Sequence, residues 1–374
     1  MTALLAGTSV IADGRTGGPA HRAARALRKL GARVELGSGV ERLRLAGSEP
    51  RDVEFGDLSG PIEAQYAGLL GAIRLLEGDG GSVDAAVVRA GLSEGMVDGD
   101  DAATVLRCRD GWLVVRWREP READLLRAAL GRPIEDCAAD ACWTVARECR
   151  LLVAPVRSGP RAFDGRRELV SGPAFERPES SLRVVDWTSL WAGPWAASRL
   201  AERGALVRKV QIARRPDGFT KTPAGRRLLQ QWDQSKVLFD GDARTAPGLR
   251  RLQLAISEAD LLVVNTTPRV LPQLGFDDGW FETHAPRLSR VSIVSYEDPY
   301  AESPGLGEHA SAVAGLLWRG EGYAPDVPRP WADPLAGAQV LLTVRAWEHA
   351  HRPPGLKARV SLEAAAAEVM TGSV

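Results

Sequence analysis

The sequence predicts an α/β protein: a Rossmann-like parallel-sheet domain joined to a smaller α+β domain. Three observations lead there. Through residues 182–300, short apolar runs such as DLLVVN and SRVSIV alternate with helical stretches, the pattern of a parallel sheet with crossover helices. The segment TVLRCRDGWLVVRW at 104–117 holds two strand-like runs around Asp110-Gly111, a hairpin turn signal. A polar stretch containing Pro and Gly, 158–181, separates these regions and reads as a linker. The expected division is therefore 1–157, the linker 158–181, and 182–374.

In order, ALLAG reads as a short strand, HRAARALRKLGARVEL as a helix with an Ala/Leu stripe ended near Gly31, and Arg33–Leu36 as the next strand. That is half of a Rossmann-like unit. AQYAGLLGAIRLLE and VDAAVVRAGLSEGM read as helices on either side of a Gly-rich turn, GDGGS. After the hairpin, EADLLRAALG is a helix that Gly131 ends, and 140–156 gives a helix and the strand LLVAPV. The pattern then restarts. LRVVDW is a strand, AGPWAASRLAERGA a helix opened by a Gly-Pro turn, LVRKVQI and KVLFD strands, PGLRRLQLAISEA a helix, and DLLVVN and RLSRVSIVSY strands. Two helices follow, LAGAQVLLTVRAWEHA and SLEAAAAEVM, separated by HRPPGLKAR. The two parts of the chain echo each other. AARALRKLGARVEL matches AASRLAERGALVRKV in layout, and both helix–turn–helix segments close on Glu-x-Met, at Glu94 and Met96 and at Glu368 and Met370. An ancient duplication is expected from this.

Composition narrows the function. The chain has 374 residues, 44% hydrophobic and 26% charged, with 48 basic and 48 acidic side chains. A nucleic-acid footprint would need a basic excess, which is absent overall. No apolar run approaches the ~18–20 residues of a membrane span. The N-terminal MTALLAGTSVIADGRTGG has no basic region before its apolar residues and reads as strand and turn, so a cytoplasmic location is expected. Cys108, Cys137, Cys142 and Cys149 form no C-x-x-C pair. They read as reduced thiols, and no metal site is expected.

The order of motifs in the second part resembles the class III coenzyme A transferases, the CaiB/BaiF family. VVDWTSLWAGPWAASRLAERGALVRKVQ is similar to that family's opening strand, A-G-P turn, helix and second strand, with Ala192, Gly193 and Pro194 at the A-G-P. DQSKVLFD places Lys236 at a conserved-type basic position, and ADLLVVNTTPRVLPQLGF keeps Asn265 and Pro268. RPWADPLAG is similar to the segment bearing the catalytic Asp, with Gly337 four residues after Asp333. In the first part, VLRCRDGWLVVRWREPREADLLRAALG and CRLLVAPVRS resemble the family's small domain, here placed first. The resemblance implies the class III fold, an interlocked homodimer, acyl-CoA and carboxylic acids as substrates, and no permanently bound cofactor.

It also implies roles for residues. Asp333 would be the nucleophile that attacks a thioester and carries the acyl group. The helix after it is expected to begin at Leu335, which would set the carboxylate beside free helix N–H groups; the plain alternative is a capping Asp. Ala192, Lys209, Arg214, Lys236, Asn265 and Thr266 are the candidate CoA contacts, since strand C-terminal ends are where such sheets bind ligands. Departures are also present. Gln211 stands for the family's acidic residue, Gln273 for an Arg, and Trp191 for the Gln of formyl-CoA-transferase-like members. The same fold hosts α-methylacyl-CoA racemases, whose acid/base His falls on Leu306 here; His309, three residues on, is the candidate second acid/base. In the first part the segment matching Asp333 reads GPIEAQYAG, with Glu63 nearby, and that part reads as a non-catalytic copy.

Overall fold

In the computed structural model, which describes residues 4–37, 40–46, 52–56, 58, 60–96, 102–161 and 181–371, the chain builds three sheets. Nearly all of the expected linker lies outside the described residues.

The first sheet comes from β1 (Ser9–Asp13), α1 (Pro19–Lys29), β2 (Arg33–Gly37), β3 (Arg42–Leu45), β4 (Val53–Phe55), α2 (Pro61–Glu77), β5 (Gly81–Val83) and α3 (Ala85–Ser93). Its strand order is β2-β1-β3-β4-β5. The strand expected at ALLAG is instead a turn whose Leu5 amide donates to the Leu30 carbonyl, 2.9 Å, at the end of α1. The strand begins at Ser9, where Val10 and Ala12 alternate inward. The expected turn GDGGS runs directly into β5, which pairs with β4 in parallel.

The small sheet holds β6 (Thr104–Arg107) and β7 (Trp112–Arg116), then α4 (Arg121–Leu130), α5 (Ala139–Glu148) and β8 (Leu152–Pro155). Its pairs are antiparallel. Gly131 ends α4 at φ 67°, a left-handed position suited to glycine. All four cysteines are free thiols, and Cys108, Cys137 and Cys142 are buried in this core.

The large sheet comes from β9 (Arg183–Trp187), α6 (Ala192–Glu202), β10 (Leu206–Gln211), α7 (Pro223–Asp233), β11 (Val237–Asp240), α8 (Ala246–Ser257), β12 (Leu261–Val264), α9 (Val270–Gln273), α10 (Asp278–His284), β13 (Ser289–Val294), α11 (Gly307–Val313), α12 (Ala332–His349), β14 (Lys357–Ser361) and α13 (Leu362–Thr371). Six strands lie in the order β11-β10-β9-β12-β13-β14, all parallel. HRPPGLKAR does not simply connect two helices: its last residues enter β14, which pairs with β13.

Five strands of this sheet, β10-β9-β12-β13-β14, repeat the order of the first sheet. α1 and α6 each join the first parallel pair, and α2 and α12 each lead into the edge strand. The difference is β3. Only residues 38–41 separate β2 from β3, too few for a crossover helix, so β3 returns antiparallel to β1. Between β10 and β12 lie α7, β11 and α8, and β12 is parallel.

α12 is apolar around most of its circumference and is buried along nearly its whole length. It packs against α2, α6 and α13. One apolar cluster runs from Leu4 and Val10 through α2, α6 and α12 to Val369, so both parts of the chain share a core. Each fully buried Leu or Val there contributes roughly 1.5–3 kcal/mol.

Candidate active site

The chain leaves β9 toward β10 on one side, and β12 leads to β13 on the other. The switch in direction opens a crevice between the C-terminal ends of β9 and β12, where open α/β sheets bind ligands. The walls are Thr188–Trp191 after β9, and Asn265 and Thr266 after β12. The Asn265 amide spans them: its Oδ1 accepts from the Ser189 amide, 3.0 Å, and its Nδ2 donates to the Ser189 carbonyl, 2.8 Å. Leu190 sits at φ 66°, an uncommon conformation for a branched side chain, and its amide donates to Asp217 Oδ2, 2.8 Å. Thr266 lies at the same edge with a buried hydroxyl that has no protein partner. Ala192 opens α6 here, with its backbone against Gly337 of α12.

The two lysines face inward. Lys209 Nζ donates to the Thr188 carbonyl, 2.7 Å, and lies 3.4 Å from Asp186. Lys236 Nζ contacts Asp186 Oδ2, the Pro194 carbonyl and Asp233 Oδ1, each at 3.0 Å. All of Asp186 is buried. Burial alone would raise its pKa, but Lys209, Lys236 and the Thr188 hydroxyl outweigh that and hold it at about 2. Lys209 and Lys236, expected to face CoA, thus both direct their ammonium groups to buried acceptors. Arg214 is exposed and makes two bonds to Asp242, 2.9 and 2.6 Å.

Asp333 lies inside the first turn of α12, not before it, because the helix starts at Ala332. Its carboxylate does not cap α12, whose first turn carries no side-chain cap. It lies instead against the backbone of Gly307, the first residue of α11. Glycine is required for space: a β-carbon on Gly307 would overlap Asp333 Oδ2. Ser311 fixes the junction, donating to the Gly307 carbonyl at 2.7 Å and accepting from the Ala332 amide at 3.2 Å. Gly337, one turn along α12, would bring a β-carbon to 3.0 Å from the Ala192 carbonyl. Asp333 and Gly337 share a helix face, so this close approach ties the carboxylate to the crevice loop.

Burial pushes the Asp333 carboxyl up to about 8, and the negative Glu308 adds to the rise; the Gly307 amide and Arg116 act the other way. Glu308 is itself buried and pairs with Arg116 of β7, 2.9 Å. His309 is fully buried, and its Nε2 meets the Leu152 carbonyl of β8 at 3.0 Å. Burial lowers its pKa and keeps the ring neutral. The His309 ring is thus bonded to β8, while the Asp333 carboxyl lies against Gly307.

Sequence reasoning missed Asp186, Gly307, Glu308 and Arg116. Asp186 had a signal, a carboxylate inside an apolar parallel strand, which demands buried cations. Glu308 and Arg116 had none, being 192 residues apart. Among the described residues, no helix is long and apolar enough to cross a membrane.

Residues 180–373 match the family described as CoA-transferase family III. A "Probable CoA-transferase" of Mycobacterium tuberculosis is 28% identical over 166 residues, 42% of this chain and 21% of that protein. The succinyl-CoA–L-malate CoA-transferase beta subunit of Chloroflexus aurantiacus is 28% identical over 158 residues, 40% of this chain and 38% of that protein. The chain thus spans between a fifth and two-fifths of these two relatives. A CaiB/BaiF family protein from Brucella suis of known structure is 22% identical, covering 52% of this chain and 56% of that one, with a TM-score of 0.43.

Proposed function

The chain belongs to CoA-transferase family III, and from that membership we propose that it moves coenzyme A from an acyl-CoA to a carboxylic acid, with Asp333 as the acyl-carrying nucleophile. One observation carries the assignment to Asp333: its carboxyl leaves its own helix uncapped and is presented at the α11–α12 junction, one turn from the contact with the crevice loop.

In this reading the ionised Asp333 attacks the thioester carbonyl, forming a mixed anhydride and releasing the CoA thiolate. The thiolate attacks the aspartyl carbonyl, giving an aspartyl-CoA thioester and freeing the donor acid. The acceptor carboxylate attacks that thioester to form a second anhydride, again releasing the thiolate. The thiolate then takes the acceptor's acyl group and restores Asp333. Dividing the exchange into such steps is the advantage of covalent catalysis. The close packing of Asp333 Oδ2 against Gly307 orients the carboxylate for attack. Ala192, Asn265 and Thr266 line the crevice for the CoA chain, and Arg214, exposed after β10 and paired with Asp242, is a cation for its phosphates. Cytoplasmic location and a homodimer belong to the same reading, and light scattering tests the latter.

Residues 182–374 then carry the chemistry, and residues 1–157 are a copy without it. The shared strand order supports this. So does Glu63 in α2, whose carboxylate accepts from the Gly60 amide, 3.4 Å, at the start of its own helix.

Incubation with a panel of acyl-CoAs and hydroxylamine tests the function. A hydroxamate on Asp333 that depends on one donor, absent in Asp333→Ala, is the expected result. No adduct with any donor would defeat the assignment.

A further inference from the structure

An aromatic cluster between α5 and the loop after β13 holds four buried polar atoms without partners. Trp143 and Arg147 stand one turn apart on α5, Tyr296 and Tyr300 follow β13, and Arg157 follows β8. The Trp143 ring lies 5.6 Å from that of Tyr296 and 4.6 Å from that of Tyr300, centroid to centroid. The Arg147 guanidinium lies over Trp143 at 5.0 Å and over Tyr300 at 4.3 Å, and that of Arg157 lies over Trp143 at 5.6 Å. Trp143 is 2% exposed and Tyr296 is fully buried. Yet the Trp143 Nε1, the Tyr296 hydroxyl and the Nε atoms of Arg147 and Arg157 find no hydrogen-bond partner among the described residues.

Buried polar groups are nearly always paired, so four unpaired ones in one cluster point to a ligand. The indole and the two guanidinium nitrogens can only donate. Burial, with the negative Glu363 and Glu308 adding to it, pushes the Tyr296 phenol up, so it too keeps a proton to donate. A water has too few lone pairs for four donors; a carboxylate has about four. Charge points the same way. Arg157 pairs with Asp140, 2.5 Å. Arg161, whose guanidinium lies over Tyr300 at 4.5 Å, pairs with Glu363, 2.7 Å. Arg147 has no acidic partner among the described residues and donates to the Thr144 hydroxyl, 3.3 Å. One uncompensated guanidinium calls for one negative charge, and a flat carboxylate matches its planar edge.

We propose that this cluster binds the carboxylate of a small organic acid, at a site formed by residues other than those around Asp333. Arg147 supplies the charge, and Trp143, Tyr296 and Arg157 supply further hydrogen bonds. The faces of Trp143 and Tyr300 hold the Arg147 guanidinium in place. Since α5 leads into β8 of the small sheet and Tyr296 follows β13 of the large one, the bound acid bridges the two.

The indole proton of Trp143 reports the site directly. In nitrogen-15-labelled protein its NMR signal is assigned by its loss in Trp143→Phe. The protein is then titrated with sodium acetate at constant ionic strength, with sodium chloride and sodium phosphate as parallel arms. A saturable shift with acetate and none with chloride is the expected result. Tyr296→Phe removes one oxygen and keeps the ring. It should raise the half-saturating acetate concentration about tenfold, the worth of one hydrogen bond to a charged group. It should not lower the melting temperature in chloride, since the hydroxyl it removes is unpaired there. Arg147→Met should abolish saturation. Asp333→Ala should bind acetate as the wild type does, so the site stands or falls apart from the transferase reading. No saturation with acetate, an equal shift with chloride, or an unchanged half-saturation in Tyr296→Phe overturns the proposal, and the last decides even if Arg147→Met does not fold. Saturation by phosphate alone overturns the carboxylate assignment. Loss of the acetate response in Asp333→Ala would place the anion at Asp333 and overturn it as well.

Discussion

Asp333 Oδ2 packs against Gly307: a single β-carbon at 307 would overlap that oxygen. Gly307→Ala therefore displaces the carboxyl and presses on Pro330, 2.9 Å from the added β-carbon. We expect transfer to fall by about 100-fold or more, as a misplaced catalytic group costs, with the melting temperature lowered only modestly. Steady-state kinetics beside a thermal melt checks this; full activity in Gly307→Ala would show that Asp333 does not need that seat.

In its proposed role Asp333 must be ionised, and burial pushes its carboxyl up to about 8. The rate at limiting acyl-CoA is expected to rise about tenfold per pH unit below pH 8 and to level off above it. The stability linkage has the opposite sign. The folded state holds this proton more tightly than the unfolded chain, so between about pH 4 and 8 rising pH removes stability, by at most about 1.4 kcal/mol per unit. Asp333→Asn lacks this term. Its melting temperature should gain on the wild type as pH rises to 8 and stay level beyond. A constant difference across that range would contradict the raised pKa.

Lys236 offers a contrast. Its ammonium group is enclosed by Asp186, Asp233 and the Pro194 carbonyl. Lys236→Met leaves Asp186 buried with less counter-charge and should cost about 3–5 kcal/mol of stability. In the protein that remains folded, the KM for acyl-CoA should change less than about threefold. A large KM effect with an unchanged melt would restore Lys236 as a direct CoA contact.

Glu94 accepts from Trp195 Nε1 at 3.0 Å and Trp232 Nε1 at 2.8 Å, and pairs with Arg199 at 3.1 Å. Glu94→Gln offers one acceptor oxygen where two indoles require one each, and leaves a buried N–H unpaired. A loss of about 2 kcal/mol is expected, with an altered near-ultraviolet tryptophan spectrum. Denaturant unfolding measures the first; an unchanged midpoint would contradict the network.

The alternation of strands and helices was readable through 182–300 because buried parallel strands leave continuous apolar runs. Asp333 was proposed from one contiguous segment, RPWADPLAG, which the structure places at the start of α12. The environment of the two lysines was not readable for a physical reason: a basic residue at a strand end looks the same whether it faces a ligand or a buried carboxylate. The carboxylate that decides, Asp186, is 23 residues from Lys209 and 50 from Lys236. β1 was placed too early because Leu4 and Leu5 are as buried as a strand would make them, yet they close the end of α1 through a turn.

Glu94 and Glu368 each close a helix–turn–helix of one half and reach into the other. Glu94 bonds to α6 and α7, while Glu368 bonds to Gln65 of α2, to Gln339 of α12 and to Lys29 of α1. With α2 lying along α12, neither half can be withdrawn without uncovering the other's central helix. On the proposed division of roles, the N-terminal half is free to drift in its surface chemistry but not in its inner face, since that face packs along the helix carrying Asp333.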